Sequence, residues 1–109
     1  MKNEYGAELD RNGYAPSIVY EGGYCLCCLM DESAFGSNLV RHEVFGGPNR
    51  QKSKRLGFWV NLCPHCHDEI HKDARKSHAL RQIVQADAMH HYGWSEEDFI
   101  REIGKNYLD

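Results

Sequence analysis

Hydrophobic positions change period twice along this chain. Ser17-Ile18-Val19-Tyr20 groups β-branched and aromatic residues, and Gly22-Gly23 closes the group, which predicts a short strand ahead of a cysteine pair. Leu39 to Phe45 alternates well enough for a second strand, Gly46-Gly47-Pro48-Asn49 must turn the chain, and Phe58 to Leu62 reads as the returning strand of a hairpin. From Cys66 the pattern becomes compatible with a helix. Ser77 can cap a further helix from His78 towards Tyr92, with Leu80, Ile83, Val84 and Met89 as its apolar stripe and Gly93 as its stop. Ser95 and Asp98 suit the ends of a capping box for a last helix through Ile103, in which Phe99, Ile100 and Ile103 face inward.

The fold class expected from this pattern is α+β. A hairpin-and-helix core over residues 39–72 precedes C-terminal helices over residues 77–104. With 109 residues the chain suits one small domain, 17–109, whose limited core gains from a metal staple. Residues 1–16 show no period and are read as a loosely attached N-terminal arm. No run of apolar residues is long enough to span a bilayer, and Met1 to Tyr14 lacks the apolar centre of a signal peptide, so a cytoplasmic location is expected.

Cysteine spacing adds chemistry to this outline. Cys25-x-x-Cys28 and Cys63-x-x-Cys66 each present two sulfurs to one tetrahedral ion, and together they complete a closed structural zinc site. The competing reading, small buried apolar residues, is disfavoured because thiols rarely fall into two such pairs by chance. The gap of 34 residues between the pairs leaves room for a whole hairpin. Cys27 is the odd thiol, expected only to pack. In a reducing compartment these pairs signify metal rather than disulfides.

Charge alters the picture in one place. The net charge is −3, with six acids and two bases in residues 1–32 and five acids and two bases in the last fifteen. Between these ends, Arg50-Gln51-Lys52-Ser53-Lys54-Arg55 carries four positive charges in six residues. Such a run is either a solvated loop or a set of phosphate contacts. Its neighbours give weight to the second reading. His67 and His71 stand one helical turn apart and can share an ion, while Asp68 rules out the HExxH protease pattern. His67 could instead join the zinc in place of Cys66, with His71 an exposed helix residue, although adjacent helix positions point about 100° apart and favour two separate tasks. His42 and Glu43 lie on the first hairpin strand, where one of them can bind metal and the other can take a proton from water.

The order Cys25-x-x-Cys28, His42-Glu43-Val44, Cys63-x-x-Cys66-His67 and His71 resembles the HNH nucleases, whose ββα-metal fold holds a divalent ion between a hairpin and a helix. The stretch Arg41-His42-Glu43-Val44-Phe45-Gly46-Gly47-Pro48-Asn49-Arg50, with Ser53, Gly57 and Leu62-Cys63-Pro64, is similar to small bacteriophage and prophage HNH proteins, some of them recombination-associated. The likeness runs over residues 24–108, with Tyr92-Gly93 and Asn106-Tyr107-Leu108 included. It implies that Cys25, Cys28, Cys63 and Cys66 hold a structural zinc. It also implies that His67, His71 and His42 hold a catalytic divalent ion (magnesium, manganese, nickel or zinc). Glu43 then stands where the family usually has its histidine base, and a one-residue slip would give that task to His42. The family's middle asparagine falls at Phe58, whereas Asn61 lies nearer the cysteines and is expected to tie the hairpin by a backbone hydrogen bond.

Together these readings predict metal-assisted hydrolysis of DNA phosphodiester bonds in phage recombination or DNA processing, inside the host cell. Arg41, Arg50, Lys52, Lys54 and Arg55 would hold the flanking backbone. The partners expected are DNA and either a second copy of the chain or recombination or packaging proteins, with no membrane. Two alternatives stand beside this: a zinc hairpin that binds DNA or protein without turnover, and a metallo-hydrolase acting on another substrate.

Overall fold

The computed structural model describes residues 1–30 and 39–108. Asp31 and Glu32, counted above with the acidic first third, lie outside them. Strand β1 (Val40–Glu43) pairs antiparallel with β2 (Trp59–Leu62), and four helices follow or interrupt this pair: α1 (Arg50–Leu56), α2 (Pro64–Lys72), α3 (Ala74–Tyr92) and α4 (Glu96–Ile103). A 3-10 turn, Gly47–Asn49, leads into α1. The register Val40 to Leu62, Arg41 to Asn61, His42 to Val60 and Glu43 to Trp59 is unbroken. Side chains therefore alternate cleanly, with Arg41, Glu43, Trp59 and Asn61 on one face and His42, Val60 and Leu62 on the other.

The hairpin connection is a helix where the sequence suggested a turn and a basic loop. Ser53 explains the difference. Its buried hydroxyl donates to the Phe45 carbonyl at 2.8 Å and accepts from the Phe45 amide at 3.2 Å, which clips the middle of α1 to the end of β1. The helix ends at Gly57, whose φ of 81° is left-handed, and a Cβ there would meet the Pro16 carbonyl oxygen at 2.3 Å. Both demands require glycine.

Residues 17–20 do not form a strand. They lie alongside β2 through side chains instead, with Ser17 Oγ donating to the Trp59 carbonyl and Tyr20 Oη to the Asn61 carbonyl. The N-terminal residues are fastened by comparable bonds. Asn3 Nδ2 donates to the Arg55 carbonyl, the Ala15 amide to the Lys54 carbonyl, and Trp59 Nε1 to the Ala15 carbonyl. These contacts are irregular, so no hydrophobic period announces them.

Helix α3 begins at Ala74, earlier than Ser77, because Asp73 accepts from the Arg75 and Lys76 amides. Its stop at Gly93 and the Ser95–Asp98 capping box of α4 match the expectation. Leu80, Val84, Ala88, Phe99 and Ile103 close the core over Val44, Phe45, Phe58, Val60 and Leu62. Ile83 and Ile100, expected to face inward, are 50% and 41% exposed. Buried Gln85 donates to Asn106 Oδ1 and accepts from the Tyr107 amide, so the last residues are drawn back over α3 and Tyr107 meets the Phe45 ring. Among the described residues no helix is long and apolar enough to cross a membrane.

Candidate metal centres and the cationic cleft

Two ligand clusters flank α2. The first contains Cys25, Cys28, Cys63 and Cys66, whose sulfurs all lie within 4.8 Å of one another. A tetrahedron with Zn–S bonds of about 2.3 Å has edges of about 3.8 Å, and the Cys28–Cys63 sulfur separation of 4.0 Å is close to that value. Four soft thiolates in this arrangement could hold zinc. The sequence builds both knuckles tightly. In the first, the Cys25 amide donates to the Met30 carbonyl and the Leu29 amide to Cys25, with Leu29 at a φ of 64°. In the second, Cys63 caps α2 by accepting from the Cys66 amide, and Pro64 occupies the first helical position.

Electrostatics divide the four thiols. Burial pushes Cys25 up, but amide donors from Cys28 and Cys63 outweigh it and bring the thiol down to about 7. Cys66 is pushed well above the usual thiol range, first by burial and then by the sulfurs beside it. Crowded thiols raise one another because their anions repel, and a divalent cation removes that repulsion. Cys27 is exposed, with its thiol raised by burial of part of its surface and by the neighbouring sulfurs.

Asn61 joins this knuckle to the hairpin. Its side-chain amide donates to the Gly22 carbonyl at 2.6 Å, and its own carbonyl accepts from the Leu26 amide at 3.0 Å. Phe58, by contrast, is a fully buried core ring packed against Phe45.

The second cluster comprises His42, His67 and His71, again with ligand nitrogens within 4.8 Å of one another. The α-helical spacing of His67 and His71 brings their Nε2 atoms to 3.2 Å, and the face alternation of β1 turns His42 towards both rings. His42 is held down to about 4 by burial, then by its two histidine neighbours. His67 is lowered by burial and by His71. Neutral imidazoles with converging nitrogens could hold a divalent ion.

Glu43 does not belong to this cluster. It is the next residue on the strand and leaves on the opposite face, where Tyr14 Oη donates to its Oε1 at 2.7 Å and Arg50 Nε at 3.1 Å. Burial raises its pKa, but these two donors and its backbone bring the net value below the usual carboxylate range. Residues of both faces, Arg41 and Glu43 on one and His42 on the other, nonetheless line one polar cleft of 630 Å³.

Of the five cations expected to contact a phosphate backbone, Arg41 and Arg50 line this cleft. The Arg41 guanidinium lies 4.3 Å from the Tyr14 ring centre and 4.2 Å from that of Trp59, with Asp10 at 3.4 Å. The other three are drawn elsewhere by α1: Lys52 Nζ donates to the Glu102 carbonyl, Lys54 sits over Tyr14, and Arg55 pairs with Glu4. Two cations that the sequence did not single out, Lys72 and Arg81, complete the cleft wall together with Ser77. Nothing in a linear scan distinguishes Arg81 from an ordinary exposed helix residue; only the docking of α3 on α2 brings it to the histidines.

No family model, curated protein or solved structure matches this chain.

Proposed function

We propose that the chain is a metal-dependent endonuclease of HNH type that hydrolyses DNA phosphodiester bonds, in phage recombination or DNA processing. The observation that carries this reading is the convergence of His42, His67 and His71 inside a cleft whose rim bears Arg41, Arg50, Lys72 and Arg81. Three neutral nitrogens suit a divalent ion with positions left open, and a cationic rim suits a polyanion.

An ion held by the three histidines would supply Lewis acidity at the scissile phosphate and acidify water. The chain's own residues do the rest. His67 and His71 are fixed by one turn of α2, and His42 is fixed by the hairpin register, so the nitrogens are oriented before substrate arrives. Glu43 is ionised across the neutral range and accepts the proton of the attacking water. The Tyr14 and Arg50 donors both meet Oε1 of this carboxylate. A carboxylate is a weak base at neutral pH, and it suffices only where the water is already acidified.

A second reading has its own support. Glu43 is held by Tyr14 and Arg50, and Phe58 stands where the family has asparagine, both of which fit a zinc-stapled DNA- or protein-binding module without turnover. Plasmid cleavage separates the two. Zinc-loaded protein freed of exchangeable ion is expected to nick plasmid when magnesium, manganese or nickel is added. His67→Ala should lower the rate more than about 100-fold, exceeding what loss of an outer-shell partner commonly costs, with an unchanged circular dichroism spectrum. Salt-dependent DNA binding with no nicking in any ion would support the module.

A further inference from the structure

The positive run at 50–55 suggests a substrate lying along α1, yet that helix spends most of its charge on the protein itself. Lys52, Lys54 and Arg55 reach Glu102, Tyr14 and Glu4. Arg50 remains at the cleft, and across the histidines from it stands Arg81 of α3. Arg81 is partly buried and held in one orientation. Its Nε donates to the Val44 carbonyl at 3.4 Å, the residue after Glu43, and its guanidinium carbon lies 5.6 Å from the centre of the Tyr107 ring. Tyr107 is itself fixed by the Gln85 side chain. Lys72, on the same wall, is paired with Asp68 at 2.9 Å. Among the described residues no carboxylate is paired with Arg81, and Glu43, the one carboxylate of the cleft, is taken by Tyr14 and Arg50, so the Arg81 guanidinium lines the cleft without an acidic partner.

We propose that Arg81 is a substrate-binding residue which receives a phosphate of the nucleic-acid backbone, so that the strand crosses the histidine cluster between Arg50 on α1 and Arg81 on α3. A guanidinium suits this task because its planar fork can donate two parallel hydrogen bonds to one phosphate. Helix α3 thereby becomes part of the substrate site rather than only a packing element. This inference rests on the nuclease reading above.

The test is the salt dependence of binding of a double-stranded oligonucleotide to the full-length, zinc-loaded chain without added divalent ion. Arg81→Gln should reduce the slope of log K against log salt by about 0.9 and weaken binding about five- to tenfold near 0.1 M salt, the release of roughly one counterion. Lys52→Gln should leave both unchanged. In cleavage assays Arg81→Gln should raise KM, and Arg81→Lys should recover the slope but leave KM partly raised, because the charge returns without the fork. A wild-type slope and affinity in Arg81→Gln, measured beside a wild-type protein that binds, overturns the assignment of Arg81 alone. A wild-type chain that binds no DNA overturns the nuclease reading with it. If Arg81→Gln lowers zinc content or melting temperature, Arg81→Met, which keeps an apolar stem against Tyr107, carries the same comparison.

Discussion

The two ligand clusters share a helix and differ in almost everything else. Cys63 and Cys66 occupy the start of α2, whereas His67 and His71 occupy its next turns and face another way. The sulfur set has four donors, which fill a tetrahedral ion and leave it nothing to react with; the nitrogen set has three. Their surroundings differ in the same sense. The cleft beside the cysteines measures 570 Å³ and that beside the histidines 630 Å³, so size does not distinguish them, but the first is mainly apolar, with Leu26, Ala79, Leu80 and Ile83 beside Glu69 and Lys76, whereas the second carries Arg41, Arg50, Lys72 and Arg81 against the single carboxylate of Glu43. A closed site in an apolar setting can only fasten the chain. An open site in a cationic setting can hold a reacting anion.

The most severe way to test this contrast is to break the closed cluster. Cys63→Ser removes a thiolate ligand while its hydroxyl keeps an acceptor at the N-cap of α2, so the loss falls on the metal site. Structural zinc in small domains contributes on the order of 10 kcal/mol, comparable with the whole stability of a domain of this size, about 5–15 kcal/mol. The variant is therefore expected to lose its zinc and its cooperative melting transition together, as read by elemental analysis and circular dichroism. His67→Ala, about one helical turn along α2 from Cys63, should do neither. A folded, zinc-loaded Cys63→Ser protein would remove the distinction between the clusters.

Acid provides a gentler test, aimed at the open cluster. Burial and its neighbours hold His42 down to about 4, so folding favours the neutral ring, whereas the unfolded chain takes up a proton near its usual value of 6.5. Stability from this residue is complete above that unfolded value and is lost as pH falls from it towards the folded one. A full shift of this size corresponds to roughly 3 kcal/mol, and solvent around the partly exposed ring reduces the expectation to about 1–2 kcal/mol. Urea unfolding of zinc-loaded protein, with the exchangeable ion removed, should show wild type losing that much more stability than His42→Gln between pH 6.5 and 4. Parallel curves would mean that the ring is not sequestered among its neighbours.

How much of this was legible beforehand depends on whether a feature is local. The cysteine pairs, the one-turn spacing of His67 and His71, the hairpin strands, the capping box and the stop at Gly93 are patterns within a few residues, and each is found where the sequence indicated. Features that depend on distant partners were hidden. The charge run became helical because Ser53 clips it to Phe45, and that helix turned three of four basic side chains away from the cleft. Arg81 reached the cleft only through helix docking. The first sixteen residues carry no period because they are held by scattered contacts, single hydrogen bonds, the ion pair of Glu4 with Arg55 and the rings of Tyr5 and Tyr14, rather than by a repeating apolar face.

That N-terminal stretch also supplies the smallest and most discriminating test. Tyr14 Oη donates to Glu43 at 2.7 Å from the face of β1 that the histidines do not share. Burial first, and then the Glu43 carboxylate, raise the phenol's own pKa, so it stays a donor throughout the neutral range. Tyr14→Phe deletes that bond and leaves the ring under the Arg41 guanidinium and edge-on to Trp59. The cost in stability should be about 1 kcal/mol, as for a hydrogen bond to a partly exposed charged group. Without this donor the Glu43 pKa rises, and because Glu43 must be ionised to accept a proton, the acid limb of the cleavage profile should move to higher pH. The divalent-ion affinity of the histidine cluster should not change, since Tyr14 touches none of its members. If Tyr14→Phe instead weakens ion binding and leaves the pH profile in place, Glu43 belongs with the ligands and His42 becomes the residue that activates water.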